Sequence, residues 1–261
     1  MRKMLCIILA GAAALAVNGC ARPVEQGISR TAGPAEIPVE ILGELDEDTL
    51  ENLVEEPKYV AITFDDGPRA DTTSRLLDGL LERGAAATFF VIGEQVAGNE
   101  KLLQRMVDEG HQIGNHTYSH VRLLNAGKDS VVEEVQKTEV LLREAVGDGS
   151  FWLRPPYGLI GGERAKLIRT PMIYWSVDPQ DWKLLDKDKV VKAVLDAVGP
   201  GDIVLLHDFY STSVDAALEI VDRLQDEGYD FVTVEELFRI QGVAPQAGVL
   251  YARPDRVKQL S

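Results

Sequence analysis

From Lys58 onward the sequence predicts an α/β fold in which about seven parallel strands close into a (β/α) barrel. Short runs rich in strand formers alternate with amphipathic helical stripes, which implies βα units joined by right-handed crossovers. The polar residues that interrupt those runs recur at the same end of each strand. That second observation favours a closed barrel over an open doubly wound sheet, because barrel sites gather at the carboxyl ends of the strands. With 261 residues and 45% hydrophobic composition, the chain can bury one large core.

The elements follow in order. KYVAITF (58–64) is a short apolar strand, and the next stretch carries Leu76, Leu77, Leu80 and Leu81 on one helical stripe with Gly84 as a stop. AATFFVIG (86–93) is the second strand. Leu102, Leu103, Met106 and Val107 repeat the stripe before Gly110, and HQIGN (111–115) gives the third strand. A longer helix is expected over about 129–146, then the strands FWLR (151–154) and IYWSV (173–177). A helix near 188–198, the strand DIVLLH (202–207), a helix near 214–227 and the strand DFVTV (230–234) complete the series. Residues 241–261 are expected to form a C-terminal tail.

The N-terminus reads differently. Arg2 and Lys3 precede an apolar stretch from Met4 to Val17 that is too short for a retained membrane span and fits a signal segment over 1–19. VNGC ends at Cys20, which is similar to a bacterial lipobox with Cys20 as the lipidated first mature residue, although Asn18 is unusual there. This places the protein at the bacterial envelope as an anchored lipoprotein, with simple secretion as the alternative. Cys6 lies in the signal, so the mature chain has no second cysteine for an intrachain disulfide. Residues 21–57 hold ten acids against two arginines, which fits an acidic tether over 20–57. A formal charge of −15 argues against nucleic acid as a partner.

The strand-end residues carry the chemistry. Asp65 and Asp66 end the first strand, His116 follows the third, Arg154 ends the fourth, Asp178 and Asp181 follow the fifth, and His207 ends the sixth. HTYSH puts His116 and His120 four residues apart, a spacing that would set both imidazoles on one face of a helical turn and suits one metal ion. Two histidines and one Asp make a site for zinc or another first-row divalent ion (Co2+, Mn2+, Fe2+ or Ni2+). One Asp of the pair would bind the ion and its neighbour would take a proton from water. His111, at the head of its strand, reads as structural.

Five segments in chain order, TFDDGP (63–68), HTYSH (116–120), RPPYG (154–158), DPQDW (178–182) and LLH (205–207), resemble the motifs of the polysaccharide deacetylase domain, the NodB-homology family or carbohydrate esterase family 4. The resemblance covers 58 to about 238, giving a domain over 58–240. It implies a distorted (β/α) barrel related to the TIM barrel, and a hydrolase of linear amides that deacetylates a polysaccharide; the expected envelope location then points to N-acetyl groups on N-acetylglucosamine units of peptidoglycan or a chitin-like oligomer. It further implies Asp65 as general base, Asp66, His116 and His120 as metal ligands, and His207 as general acid. Arg154 would orient Asp65, and Asp181 would hold His207. The main-chain N–H of Tyr157 would face the oxyanion, while Trp182 and Leu205 would wall the pocket for the acetyl methyl. The residues by themselves leave Trp182 and Leu205 open to ordinary core packing, and Asp178 open to a turn role.

Other functions stand beside this one. An aspartyl-phosphate phosphatase leaves the two histidines and RPPYG unused, and a two-histidine iron oxygenase needs no separate base and acid. An O-deacetylase of the acetylxylan type, or a non-catalytic envelope carbohydrate-binding protein on the same scaffold, are the closer alternatives. The oligomeric state is not written in the sequence.

Overall fold

The computed structural model describes residues 57–260. The signal segment over 1–19, Cys20 and, but for Pro57, the tether over 20–57 lie outside the described residues. The first half of the chain forms β1 (Lys58–Asp65), α1 (Thr72–Arg83), β2 (Thr88–Val91), α2 (Glu100–Asp108), β3 (Gln112–Asn115) and α3 (Lys128–Val146). The second half forms α4 (Gly162–Ala165), β4 (Met172–Ile173), α5 (Asp181–Leu184), α6 (Lys187–Leu195), β5 (Ile203–His207), α7 (Ser211–Asp226), β6 (Tyr229–Phe231), α8 (Val234–Ile240), β7 (Leu250–Arg253) and β8 (Arg256–Val257).

β1 is buried without a break from Val60 to Asp65, as a parallel strand covered on both faces must be. Its upper half pairs in parallel with β2 and β5, and its first three residues pair with β6. β2 pairs with β3, and Asn115 at the end of β3 bridges Leu153, which bridges Met172 of β4. Val177, just past β4, bridges Val204 of β5 and so returns the circuit to β1. The ring closes, but in places through single residues.

FWLR contributes only Leu153, because the prolines after Arg154 have no N–H to extend a ladder. IYWSV is likewise broken. The Tyr174 N–H donates to Tyr251 of β7 at 2.7 Å, whereas the Ser176 N–H donates to Ile203 of β5 at 3.0 Å, so the segment changes neighbours midway. DFVTV shortens to β6, since the Thr233 hydroxyl caps α8 by accepting the Glu236 N–H.

The two helical stripes are half right. Leu76, Leu77 and Leu80 are buried, but Leu81 is 58% exposed and Val107 is exposed as well. The buried face of α1 is rotated toward Gly79, which packs against Leu218 of α7 so closely that a Cβ would collide with that side chain. A glycine can therefore mark a helix contact that no apolar pattern reveals.

Residues 241–260 are not a free tail. β7 pairs in parallel with β4, and β8 folds back antiparallel on β7, burying Leu250, Tyr251 and Ala252. Truncation after Ile240 is expected to cost about 3 kcal/mol or more from the lost burial of Leu250 and Tyr251, lowering Tm by roughly 6–12 °C in a domain this size. Thermal unfolding of a chain ended at 257 should match the full chain; equal Tm values for the chains ended at 240 and 257 would return the segment to a tail.

Candidate active site

The register of β1 against β5 sets Asp65 directly beside His207 at the carboxyl ends of neighbouring strands. Asp66 follows with φ 75°, in the left-handed region, which turns its carboxylate away from the path of Asp65. The third strand delivers His116: its N–H donates to Val91 at 2.9 Å, and its Nδ1–H donates to the Arg154 carbonyl at 2.7 Å. That second bond fixes the tautomer and leaves the Nε2 lone pair facing the acids.

His116 and His120 meet, with ring centroids 5.0 Å apart, but not on a helical turn. Thr117 and His120 have φ 64° and 56°, which no helix permits. The turn is built by side chains instead. Asn115 Oδ1 accepts the Thr117 N–H at 2.8 Å, and the Glu134 carboxylate of α3 accepts from the Tyr118 N–H, the Ser119 N–H and the Ser119 hydroxyl. Three hydrogen bonds to one carboxylate make Glu134 the holder of the histidine loop.

The potential ligand atoms of Asp66, His116 and His120 lie within 4.8 Å of one another. Asp66 Oδ1 is 3.5 Å from His116 Nε2 and 3.4 Å from His120 Nε2. That same oxygen is buried and has no hydrogen-bond partner among the described residues. An unpaired buried carboxylate oxygen facing two imidazole nitrogens is the donor set of a divalent cation, so the residues fit such a group. Burial, then the neighbouring His116, holds the His120 imidazole below its usual pKa, in the neutral form a ligand needs.

Asp65 sits on the other side of this group, with Oδ2 3.6 Å from His116 Nε2. Its Oδ1 accepts from Arg154 Nη1 at 2.7 Å. Arg154 is fully buried: Nη1 also donates to the Thr63 hydroxyl at 2.7 Å, Nη2 donates to the Tyr174 carbonyl at 2.9 Å, and the Phe90 ring lies 4.0 Å below the guanidinium. Burial holds the guanidinium below its ordinary pKa, and the charge of Asp65 opposes that shift.

His207 is held by both oxygens of Asp181. Its Nδ1–H donates to Oδ1 at 2.8 Å, and its main-chain N–H donates to Oδ2 at 2.9 Å. Burial opposes a charge on this imidazole, yet the hydrogen bond it donates to Asp181 and the charges of Asp181, Asp65 and Asp66 outweigh it and raise the pKa to about 9. Leu205 is buried two residues before His207 and lines the same cavity of about 420 Å³. Trp182 lines it too and is 50% exposed, so it is a wall of the mouth rather than core. Tyr157, with φ 61° and half its surface exposed, stands 4.8 Å from His120. Asp178 lines the cavity while accepting the Gln180 N–H at 2.9 Å, which also gives it a turn role.

His111 stays structural: it is buried, its Nδ1 accepts the Ala87 N–H at 3.1 Å, and burial followed by Arg105 lowers its pKa to about 4. Sequence reading missed Trp175 and Tyr210 in the cavity wall, Thr63 beneath Arg154, and Glu134. Thr63 alternates with Asp65 on the same face of β1, a signal that was available. Glu134 lies among other acids on an amphipathic helix and has no distinguishing mark.

Similarity to known proteins runs across the same stretch. The sequence model of the family described as polysaccharide deacetylase matches residues 53–171. A peptidoglycan-N-acetylmuramic acid deacetylase of Bacillus subtilis is 39% identical over 184 residues, which are 70% of this chain and 39% of that protein. The chain thus spans about two fifths of the length of that relative. A peptidoglycan-N-acetylglucosamine deacetylase of Bacillus cereus is 37% identical over 190 residues, covering 70% of this chain and 89% of that protein. The solved structure of a family 4 acetyl xylan esterase from Clostridium thermocellum, in complex with a cobalt ion, superposes with a TM-score of 0.73 at 30% identity, covering 76% of this chain and 100% of that one.

The His207 pair gives a pH prediction for the metal-free protein. Because folding raises this pKa from 6.5 to about 9, the pair's contribution to stability is complete below about 6.5 and disappears as pH rises through about 9. In Asp181→Asn the imidazole should titrate at lower pH, and this loss of stability across the alkaline window should shrink. Imidazole NMR titration reads the first effect and urea unfolding at stepped pH the second; an unmoved titration would disprove the coupling.

Proposed function

Since the chain belongs to the polysaccharide deacetylase family, we propose that it hydrolyses N-acetyl groups on N-acetylglucosamine units of an envelope polysaccharide, releasing acetate. Peptidoglycan or a chitin-like oligomer is the substrate class. One observation carries the reading: an Asp held by Arg154 and a His held by Asp181 flank the Asp66, His116 and His120 group in a single cavity.

The residues divide the work of amide hydrolysis. Asp65, its Oδ1 occupied by Arg154, offers Oδ2 to take a proton from the attacking water as the new C–O bond forms. The developing oxyanion is met by the main-chain N–H of Tyr157. His207 gives a proton to the amide nitrogen as the C–N bond breaks, leaving acetate and a free amine. Its raised pKa keeps that proton available at neutral pH. Trp182 and Leu205 give apolar walls for the acetyl methyl. Asp66, His116 and His120 would hold a divalent ion, zinc first, with Co2+, Mn2+, Fe2+ or Ni2+ able to use the same donors. A divalent ion so held supplies Lewis-acid polarisation and acidifies water to a pKa of about 7.

The exposed rings of Tyr157 and Trp182 at the mouth suit the apolar faces of a sugar chain. Cys20 as a lipid anchor would keep the enzyme beside its polymer. Among the described residues no helix is long and apolar enough to cross a membrane.

Acetate release from peptidoglycan, chitooligosaccharides and acetylxylan by the zinc-loaded full chain tests the reading. Release from the first two is expected; release from acetylxylan alone would favour an O-deacetylase, and release from none a carbohydrate-binding role. Asp65→Asn should lower turnover by at least about a hundredfold, as loss of a general base does, while bound zinc stays stoichiometric. Near wild-type turnover would remove Asp65 from the base role.

A further inference from the structure

Asp208, the residue after His207, takes no part in the steps above, yet it is 1% exposed. Its Oδ2 accepts from the Thr73 hydroxyl, and that hydroxyl in turn accepts the Arg69 N–H at 2.8 Å. Its Oδ1 is buried with no hydrogen-bond partner among the described residues. Leaving a carboxyl oxygen in that condition is unfavourable, so the position has to be explained by what the group touches.

It touches the turn that carries Asp66. Both carboxyl oxygens pack against Gly67, where an added Cβ would collide with them and lie 2.7 Å from the carboxyl carbon. Gly67 itself is tied to the second strand by its carbonyl, which accepts the Ile92 N–H at 3.2 Å. Immediately before it, Asp66 is held at φ 75°. The Asp208 side chain therefore fills the space beneath the turn, with Gly67 on one side and the first turn of α1 on the other. It locks the end of β5 to the end of β1.

We infer that Asp208 is a positioning residue for Asp66: wedged between Gly67 and Thr73, its carboxyl group fixes the turn so that Asp66 Oδ1 faces the imidazoles of His116 and His120. The inference rests on the reading of those three residues as an ion site. Partners that orient ligands in this way change metal affinity by about 10–100-fold when removed. A group that merely supported the fold would lower stability and leave the ion affinity of the folded protein alone.

Zinc affinity of the full chain, measured by competition with a chromophoric chelator, separates the two, with Tm of the zinc-free protein recorded alongside. Asp208→Ala should weaken zinc binding by about tenfold or more, and Asp208→Asn, which keeps the shape and the acceptor for Thr73, should recover most of it. Gly67→Ala should weaken zinc binding by forcing the carboxyl group out. In Gly67→Ala/Asp208→Ala the methyl occupies vacated space, so the two losses should not add. If Asp208→Ala fails to fold, Asp208→Ser keeps a partner for Thr73 while vacating the contact with Gly67, and it should show the same loss. Zinc affinity in Asp208→Ala or Asp208→Ser within twofold of wild type, or additive losses in the double variant, would overturn the inference. Absence of zinc binding by the wild type would remove the ion site, and the inference with it.

Discussion

A guanidinium withdrawn completely from water at the end of a barrel is the constraint from which the rest of this site follows. Burying an ion costs several kcal/mol unless every donor finds a partner and an opposite charge lies close. Arg154 meets that demand with Asp65, the Thr63 hydroxyl and the carbonyls of Tyr174 and Ile173, and its own carbonyl accepts a hydrogen bond from His116 Nδ1–H. One residue thereby ties β1 to the segment after β4 and to the histidine loop. Its charge also allows Asp65 to remain buried beside a second acid. Two neighbouring carboxylates repel only while nothing neutralises them, and here one faces a cation supplied by the fold while the other faces donors suited to a metal cation.

Three of the four histidines show how far environment, rather than residue type, sets protonation. His207 and His120 line the same cavity, and burial disfavours the charged form of both. His207 nevertheless goes up because Asp181 accepts its proton directly, while His120 goes down because its neighbours include another imidazole and it has no such acceptor. His111, buried away from any carboxylate partner and near Arg105, falls furthest, to about 4. The result is one imidazole held toward its protonated form and another toward its neutral form within one cavity.

Much of this was legible from residue order alone. Apolar runs located β1, β2, β3 and β5, the strand-end residues predicted the convergence of Asp65, Asp66, His116, Arg154, Asp178, Asp181 and His207, and the HTYSH spacing added His120. What escaped has physical reasons. Ring closure depends on single-residue bridges at Leu153 and Val177, too short to leave a periodic signal. β7 finds its partner in a two-residue strand far back in the chain, and the contact of Gly79 with α7 involves no side chain on α1. Glu134 and Asp208 act through contacts with loops distant in sequence, and an acid in such a role looks like any other acid until the chain is folded. The spacing of the two histidines suggested a helix because four residues make about one turn, whereas the chain reaches the same convergence by two left-handed residues and an Asn side chain.

Those left-handed residues bear on how the site keeps its shape. Among the described residues the non-glycine positions with positive φ are Asp66, Thr117, His120, Tyr157, Gln180 and Leu185, and every one lies in the site or in a loop beside it. Each such conformation costs on the order of 1–3 kcal/mol and persists only where the surroundings over-determine it. The surroundings do so here with polar contacts, some buried and some at the surface: Asn115 and Glu134 on the histidine loop, Asp178 before Gln180, and Asp208 under the turn after Asp66. A relaxed backbone at any of these points would move the neighbouring side chains and main-chain N–H groups away from the cavity. The strain and the hydrogen bonds are therefore one device, in which strand ends too short to aim side chains by themselves are aimed by polar groups from neighbouring elements.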